Sequence, residues 1–159
     1  MPELPEVETT IRGLKLIINS SILNIKIHTP KLRFFIPKNI SLLNNIKVQG
    51  LKRIGKYIII NLENEFSIVI HLGMSGRLRL IKAKNFNRQK HDHFITLTSK
   101  KYLLVFNDPR KFGFIDYQMT STIHQIKYFL NLGKDGLSKS LNGHYLYKKI
   151  NPFIKINDK

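Results

Sequence analysis

The start of the chain carries the residues best suited to covalent chemistry. Met1 precedes Pro2, and initiator methionine is normally removed before proline, which leaves a secondary amine at the chain end. Such an amine titrates at about pH 8, far below a lysine, so a useful fraction is unprotonated and nucleophilic at neutral pH. It can attack an aldehyde-like carbon and form an iminium. Glu3 lies beside it as a proton donor, and Glu6 follows one helical turn later.

The same residues also have a purely structural interpretation. Many proteins begin Met-Pro, and acidic residues that precede a helix are usually caps. A helix is predicted over residues 5–19, because Val7, Ile11, Leu14 and Ile18 recur at spacings of four, three and four. The predicted helix would therefore carry the reactive terminus at its first turn, whichever role the carboxylates have.

The rest of the chain reads mostly as strands. Alternating and apolar runs bounded by short turns predict strands at 22–29, 46–53, 57–62, 66–72, 77–82, 94–98, 102–106 and 112–117. The short connections favour antiparallel pairing. A helix is predicted from about residue 122 to 132, and another begins near Asn142. The predicted fold class is α+β, an antiparallel β-sandwich flanked by helices, with the N-terminal helix carrying the catalytic terminus.

Composition limits the chemistry and suggests a partner. The 159 residues contain no cysteine, which excludes disulfides, thiolate nucleophiles and cysteine-ligated zinc. The formal net charge of +17 favours a polyanion, because clustered Lys and Arg release counterions from phosphates. Part of this charge is also what codon drift in an AT-rich genome produces. The absence of a long apolar run, together with an acidic N-terminal segment, predicts a soluble cytoplasmic protein that binds no membrane.

Four sequence motifs occur in a fixed order over the first 113 residues. They are MPELPEVET at 1–9, GKY at 55–57, HLGMSG at 71–76 and DPRKFG at 108–113, with KHDH at 90–93 as a further match. Together they resemble the bacterial formamidopyrimidine-DNA glycosylase family, whose relatives include endonuclease VIII. The first motif and the form of the DPR segment favour the formamidopyrimidine branch.

The resemblance implies base-excision DNA repair in the bacterial cytoplasm, at the nucleoid. Pro2 would attack the sugar C1′ and displace an oxidised purine such as 8-oxoguanine or a formamidopyrimidine, and Glu3 would move protons. The resulting imine would lead to strand cleavage at the abasic site, so the enzyme would be a bifunctional glycosylase and lyase. Lys56, predicted to lie on a strand behind Gly55, resembles the family lysine that contacts phosphate and assists this chemistry.

The resemblance also implies how damaged double-stranded DNA would be held. An extruded nucleotide leaves a void, which Met74, Arg110 and Phe112 would fill or line. His91 would contact the DNA backbone, and Glu6 and Lys155 complete the predicted DNA-binding set. Four of the predicted site residues have a plainer alternative: Met74 in the core, Phe112 at the start of a strand, Arg110 and Lys56 as solvated charges.

Histidines leave two questions open. His71 receives no role from the sequence and is equally well explained as a packed side chain. His91 and His93 stand two residues apart, a spacing that also suits a metal, although no third ligand is evident. We expect no metal site.

The resemblance fades after residue 133. Family members continue into a helix-two-turns-helix domain and a four-cysteine zinc finger, and this sequence has no cysteine. We therefore expect a glycosylase N-terminal catalytic domain over 1–132, a linker and the start of a truncated second domain over 133–159, and no cofactor. An inactive remnant that binds DNA weakly, and a basic RNA- or ribosome-associated protein, are the alternatives. A separately encoded C-terminal domain is a candidate partner.

Overall fold

The structure is a computed structural model that describes residues 2–130, 132–136 and 138–151. In this part of the chain the helices are α1 (Leu4–Leu14) and α2 (Gly143–Ile150). The strands are β1 (Ser21–Ile27), β2 (Ile46–Ile54), β3 (Tyr57–Leu62), β4 (Phe66–His71), β5 (Arg77–Lys82), β6 (Asp92–Thr98), β7 (Tyr102–Asn107) and β8 (Phe114–Met119). Within the described residues, no helix has the length and apolar composition needed to cross a membrane.

The first helix is shorter than predicted, because α1 ends at Leu14 and continues only as a 3-10 turn over Lys15–Ile17. Its buried face is the predicted one, formed by Val7, Ile11 and Leu14. This face packs against β2, β3 and β5. The N-terminus of α1 is thereby fixed to the end of the sandwich where the β2–β3 turn lies.

The strands pair antiparallel in the order β5-β7-β6-β1-β2-β3-β4-β8. The β1–β2 contact comprises only the pairs Ser21–Lys47 and Ile22–Ile46, so the sheet is divided there into two halves. Phe94 and Phe106 from one half share an apolar cluster with Ile58 from the other. This shared core matches the predicted antiparallel sandwich.

The helix predicted over 122–132 is wrong. Ile123, Ile126, Phe129 and Leu132 stand every third residue, and each successive amide donates to the carbonyl of the previous member of this series. A period of three gives successive tight turns rather than an α-helix. The turns bury Ile123 and Phe129 against the outer face of β3 and β4, a second apolar cluster that covers this part of the sheet.

The helix predicted near Asn142 is confirmed as α2. The Asn142 side chain caps it by accepting from the Tyr145 amide at 3.0 Å. No side chain of α2 is buried, and Leu146 and Ile150 are exposed. The core of the described chain therefore lies before residue 130, where the sandwich is.

Candidate active site and nucleic-acid interface

Pro2 and Glu3 immediately precede α1 at one end of the sandwich. Pro2 is partly exposed and Glu3 is exposed. The Glu3 amide donates to Oε2 of Glu6 at 3.0 Å, so Glu6 serves as a capping residue for the helix. The capping interpretation is thus confirmed for Glu6, and it holds the backbone beside Pro2 in a fixed conformation.

Lys56 lies in the two-residue turn between β2 and β3, where Ile54 pairs with Tyr57. The prediction that it lies on a strand is wrong. Gly55 precedes it with φ of +56°, the left-handed conformation that such a hairpin turn requires and that glycine adopts readily. The turn extends Lys56 toward α1, where its Nζ pairs with Oε2 of Glu3 at 2.5 Å. We refer to Pro2, Glu3 and Lys56 as the amine corner.

Two loops at the ends of neighbouring strands present the predicted void-filling side chains. Met74 lies between β4 and β5, and Phe112 between β7 and β8. Their exposed fractions are 44% and 43%, although both are large apolar side chains. The guanidinium of Arg110 lies 4.7 Å from the centre of the Phe112 ring. Residues 72–76 and 108–113 are called the probe loops below.

The exposure of these side chains excludes two of the plainer alternatives. Met74 is not a core residue. Phe112 does not begin a strand, because β8 starts at Phe114. Exposed Met and Phe side chains beside an arginine are chemically suited to contact an opened base step.

A buried carboxylate ties the probe loops together. Asp108 is fully buried; its Oδ1 accepts from Oγ of Ser75 at 2.5 Å and its Oδ2 accepts from the Gly113 amide at 2.8 Å. Oγ of Ser75 in turn accepts from the Arg110 amide at 3.1 Å. These bonds fix the backbone on both sides of Phe112. Ser75 and Asp108 were not predicted as site residues, although both lie within the quoted motifs.

Glycines allow the two probe loops to touch through their backbones. Gly73 has φ of +66°, and a Cβ there would lie 2.4 Å from the Gly113 nitrogen. A Cβ on Gly113 would lie 2.7 Å from the carbonyl oxygen of His71. The glycines of HLGMSG and DPRKFG are therefore required by close packing, which the sequence alone does not reveal.

His71 supports one probe loop from below. Its Nδ1 accepts from the Gly73 amide at 3.1 Å, so the neutral ring carries its proton on Nε2. The ring packs 4.8 Å from that of Tyr57 and 5.6 Å from that of Phe114, measured between centres. Burial, with smaller contributions from Arg33 and Lys56, lowers the pKa of His71. The packed-histidine interpretation agrees with these contacts.

The other two histidines have separate environments. Both ring nitrogens of His93 are engaged, Nδ1 with Oγ1 of Thr29 at 2.8 Å and Nε2 with the Asp108 carbonyl at 2.9 Å. His93 is therefore occupied structurally and unsuited to bind a metal with His91. His91 is partly exposed, and its carbonyl accepts from the Asp108 amide at 3.1 Å. That His91 contacts the DNA backbone stays a prediction.

One cavity is lined by Pro2 of the amine corner and by part of the probe loops, whereas Lys56 lines a separate cavity. The first cavity has a volume of about 860 Å³ and is open to solvent. Pro2 and Glu6 line it from α1, Met74 from a probe loop, and Arg77 and Arg79 from β5. The structure thus places Pro2 and Met74 on the walls of one cavity, which arginine side chains also line. Lys155, the remaining predicted DNA contact, lies outside the described residues.

The comparison with known families agrees with this arrangement. Residues 1–115, more than two thirds of the chain, match the model of the formamidopyrimidine-DNA glycosylase N-terminal domain. The chain belongs to this glycosylase family. The predicted resemblance is confirmed, and all four motifs lie within the matched residues.

Relatives and solved structures of the glycosylase family match most of the chain. It is 40% identical over 150 residues to the formamidopyrimidine-DNA glycosylase of Haemophilus influenzae, covering 94% of this chain and 54% of that protein. The Wolbachia pipientis enzyme is 42% identical over 150 residues, with 93% and 54% covered. The chain therefore spans about half the length of the curated relatives it matches.

The sandwich itself is similar to that of the Lactococcus lactis glycosylase. A structure of that enzyme bound non-covalently to DNA with an AP site matches with a TM-score of 0.83 and 29% identity, covering 95% of this chain and 58% of that chain. Its complex with FAPY-dG-containing DNA matches with a TM-score of 0.72 and 33% identity, covering 80% and 48%. These similarities confirm the predicted fold class.

Proposed function

We propose that this chain acts in base-excision repair of oxidised purines, using the amine of Pro2 as nucleophile once Met1 is removed. The observation that carries the proposal is the shared cavity, which Pro2 and Met74 line together. A glycosylase needs a nucleophile and a void-filling side chain within reach of one nucleotide. The relatives are glycosylases by name, and a solved relative binds FAPY-dG-containing DNA.

The proposed chemistry needs only groups that this chain supplies. The unprotonated nitrogen of Pro2 attacks C1′ and loses its remaining proton to the Glu3 carboxylate. The bond from C1′ to the purine breaks with its electron pair leaving on the base, which takes a proton from water. Opening of the sugar, with a proton delivered to its ring oxygen from Glu3, gives an iminium between Pro2 and C1′. The iminium acidifies the C2′ proton, and transfer of that proton to the Glu3 carboxylate expels the 3′ phosphate. No metal or cofactor takes part in these steps.

Lys56 has two uses in this proposal. Its ammonium pairs with Glu3, which orders that carboxylate beside the amine. It also places an exposed cation beside Glu3, where a phosphate of the bound strand can replace or share the carboxylate. The phosphate leaves as an anion and is stabilised by a nearby positive charge.

The probe loops would hold the opened duplex. Met74 and Phe112 enter the space that the extruded nucleotide vacates, and the Arg110 guanidinium donates to the edge of the unpaired base. Its contact with the Phe112 ring keeps the guanidinium at the tip of the loop. The net charge of +17 supports binding to the duplex through its phosphates, and the proposed location is the bacterial cytoplasm.

The test uses a duplex with one 8-oxoguanine and an undamaged duplex of the same sequence. We measure release of the free base and strand scission by the chain alone and by the chain mixed with the remaining half of the Haemophilus influenzae relative. Base release that is specific for the lesion, with partial recovery in the mixture if the chain alone is slow, supports the proposal. Equal, steeply salt-dependent binding to both duplexes without base release in either sample favours the weak, non-specific binder.

A further inference from the structure

The side chain of Arg53, near the end of β2, makes polar contacts with three other parts of the chain. Only 10% of its side chain is exposed. Its Nε donates to Oε2 of Glu8 on α1 at 3.1 Å, and Nη1 donates to the Gly55 carbonyl in the β2–β3 turn at 2.9 Å. Nη1 and Nη2 also donate to the two carboxylate oxygens of Asp135, at 2.5 and 3.0 Å. One guanidinium therefore joins three separate segments of the chain.

Two of these segments carry the amine corner. Glu8 lies on the helix that Pro2 and Glu3 precede, and Gly55 is the neighbour of Lys56. The Glu3–Lys56 pair is itself exposed, with 52% and 39% of the side chains accessible, so it cannot fix the geometry by its own strength. A planar guanidinium with several charge-assisted bonds in a buried setting holds direction as well as distance.

The third contact keeps Arg53 in place. The Asp135 carboxylate faces it in a bidentate pair, and this hydrogen bonding is the main reason that the pKa of Arg53 is raised. Leu132, from the same segment, lies over the turn, since a Cβ on Gly55 would stand 3.4 Å from its side chain. The 132–136 segment thus covers both Arg53 and the turn that carries Lys56.

We propose that Arg53 is the positioning residue of the amine corner. By fixing α1 to the β2–β3 turn, it keeps Lys56 against Glu3 and both groups beside Pro2. The inference rests on the proposed function, because positioning the amine matters only if the amine reacts. Arg53 itself touches none of the reacting atoms.

Arg12 provides a matched control. It is also an arginine that pairs with Glu8, at 3.5 Å, but 72% of its side chain is exposed and it makes no second ion pair in the described residues. Arg12→Gln and Arg53→Gln therefore remove the same charge and a contact to the same carboxylate. Only the second change disconnects α1 from the turn.

The experiment measures how readily the terminal amine reacts, without DNA. The intact chain, checked by mass for loss of Met1, is methylated with formaldehyde and cyanoborohydride across a range of pH, and labelling of the Pro2 peptide is quantified by mass spectrometry. Freed from Lys56, the Glu3 carboxylate favours the protonated amine. We expect the labelling midpoint of Arg53→Gln to move up by about half a pH unit or more, while that of Arg12→Gln stays unchanged.

A role in folding stability alone would lower the melting temperature and leave the midpoint unchanged. If Arg53→Gln does not fold, Asp135→Asn removes the bidentate partner with little change of shape and should move the midpoint the same way. An unchanged midpoint in either folded variant overturns the inference. Failure of the proposed function has a different signature: the unchanged chain then forms no adduct with abasic DNA, whatever the labelling profile shows.

Discussion

The probe loops and the amine corner meet at one cavity, through Met74 and Pro2, but they are held in different ways. Buried contacts fix the probe loops: Asp108 is fully buried, and two glycines let the backbones of the two loops touch. Exposed charges meet at the amine corner, where Lys56 and Glu3 remain accessible to solvent. The probe loops hold their exposed side chains on a rigid backbone that does not depend on those side chains. The amine corner depends instead on side-chain ion pairs, which salt, pH and bound DNA can alter.

Disrupting the contact between the probe loops should lower stability the most. In Gly73→Ala the new Cβ would lie 2.4 Å from backbone atoms of Phe112 and Gly113, at a backbone angle unfavourable for alanine. Backbone strain and overpacking together should cost about 2–5 kcal/mol of unfolding free energy, measured by urea denaturation. Gly13→Ala is the control, since nothing lies within 4 Å of its Cβ and α1 should gain stability. Equal stabilities for the two variants would contradict backbone locking.

A smaller loss should follow from Asp108→Asn. The amide keeps the volume but offers one acceptor oxygen where Asp108 has two, so either the Ser75 hydroxyl or the Gly113 amide loses its partner. We expect a cost of about 2–3 kcal/mol in the same denaturation assay. A variant as stable as the unchanged chain would show that the carboxylate does not hold the loops.

How much the sequence could predict differs between these two regions. The motifs located Met74, Arg110 and Phe112, and the positions of the strands followed from apolar periodicity. Sequence spacing could not show that Asp108 and Ser75 meet, because that contact joins residues 33 apart in the chain. The 122–132 helix was mispredicted because residues repeating every third position also satisfy part of a helical pattern. The division of the chain at residue 132 stays a prediction.

The exposed side chains of the probe loops should matter little for stability. Met74→Ala and Phe112→Ala should each cost less than about 1 kcal/mol, because nearly half of each side chain is already in water. Phe106→Ala, at a fully buried position, is the control and should cost about 3–5 kcal/mol. The two exposed variants should still weaken binding to lesion DNA in a fluorescence anisotropy titration. Stability losses as large as that of Phe106→Ala would show that Met74 and Phe112 are core residues.

The smallest effect concerns pH. Because the pKa of His71 is lowered in the folded chain, the unfolded chain binds more protons as pH falls below about 6.5, and the folded state loses stability there. Above that pH the stability gained from the neutral His71 side chain is fully present. His71→Asn retains a hydrogen-bond acceptor but does not titrate, so its melting temperature should fall less between pH 7.5 and pH 5.5. These two values lie about one unit on either side of the ordinary histidine pKa. A matching fall in both proteins would show that His71 does not cause this pH dependence, and exposed His144→Asn serves as the control.

Capture of the imine at Pro2 decides whether the terminal amine is the nucleophile. The chain is incubated with duplex DNA containing an abasic site in the presence of borohydride, and the adduct is mapped by peptide mass spectrometry. We predict a covalent adduct on Pro2 when Met1 has been removed, and none when Met1 is retained and blocks the amine. Glycine at position 2 would still offer a terminal amine, so retention of Met1 is the decisive control. Undiminished trapping with Met1 in place would contradict the account.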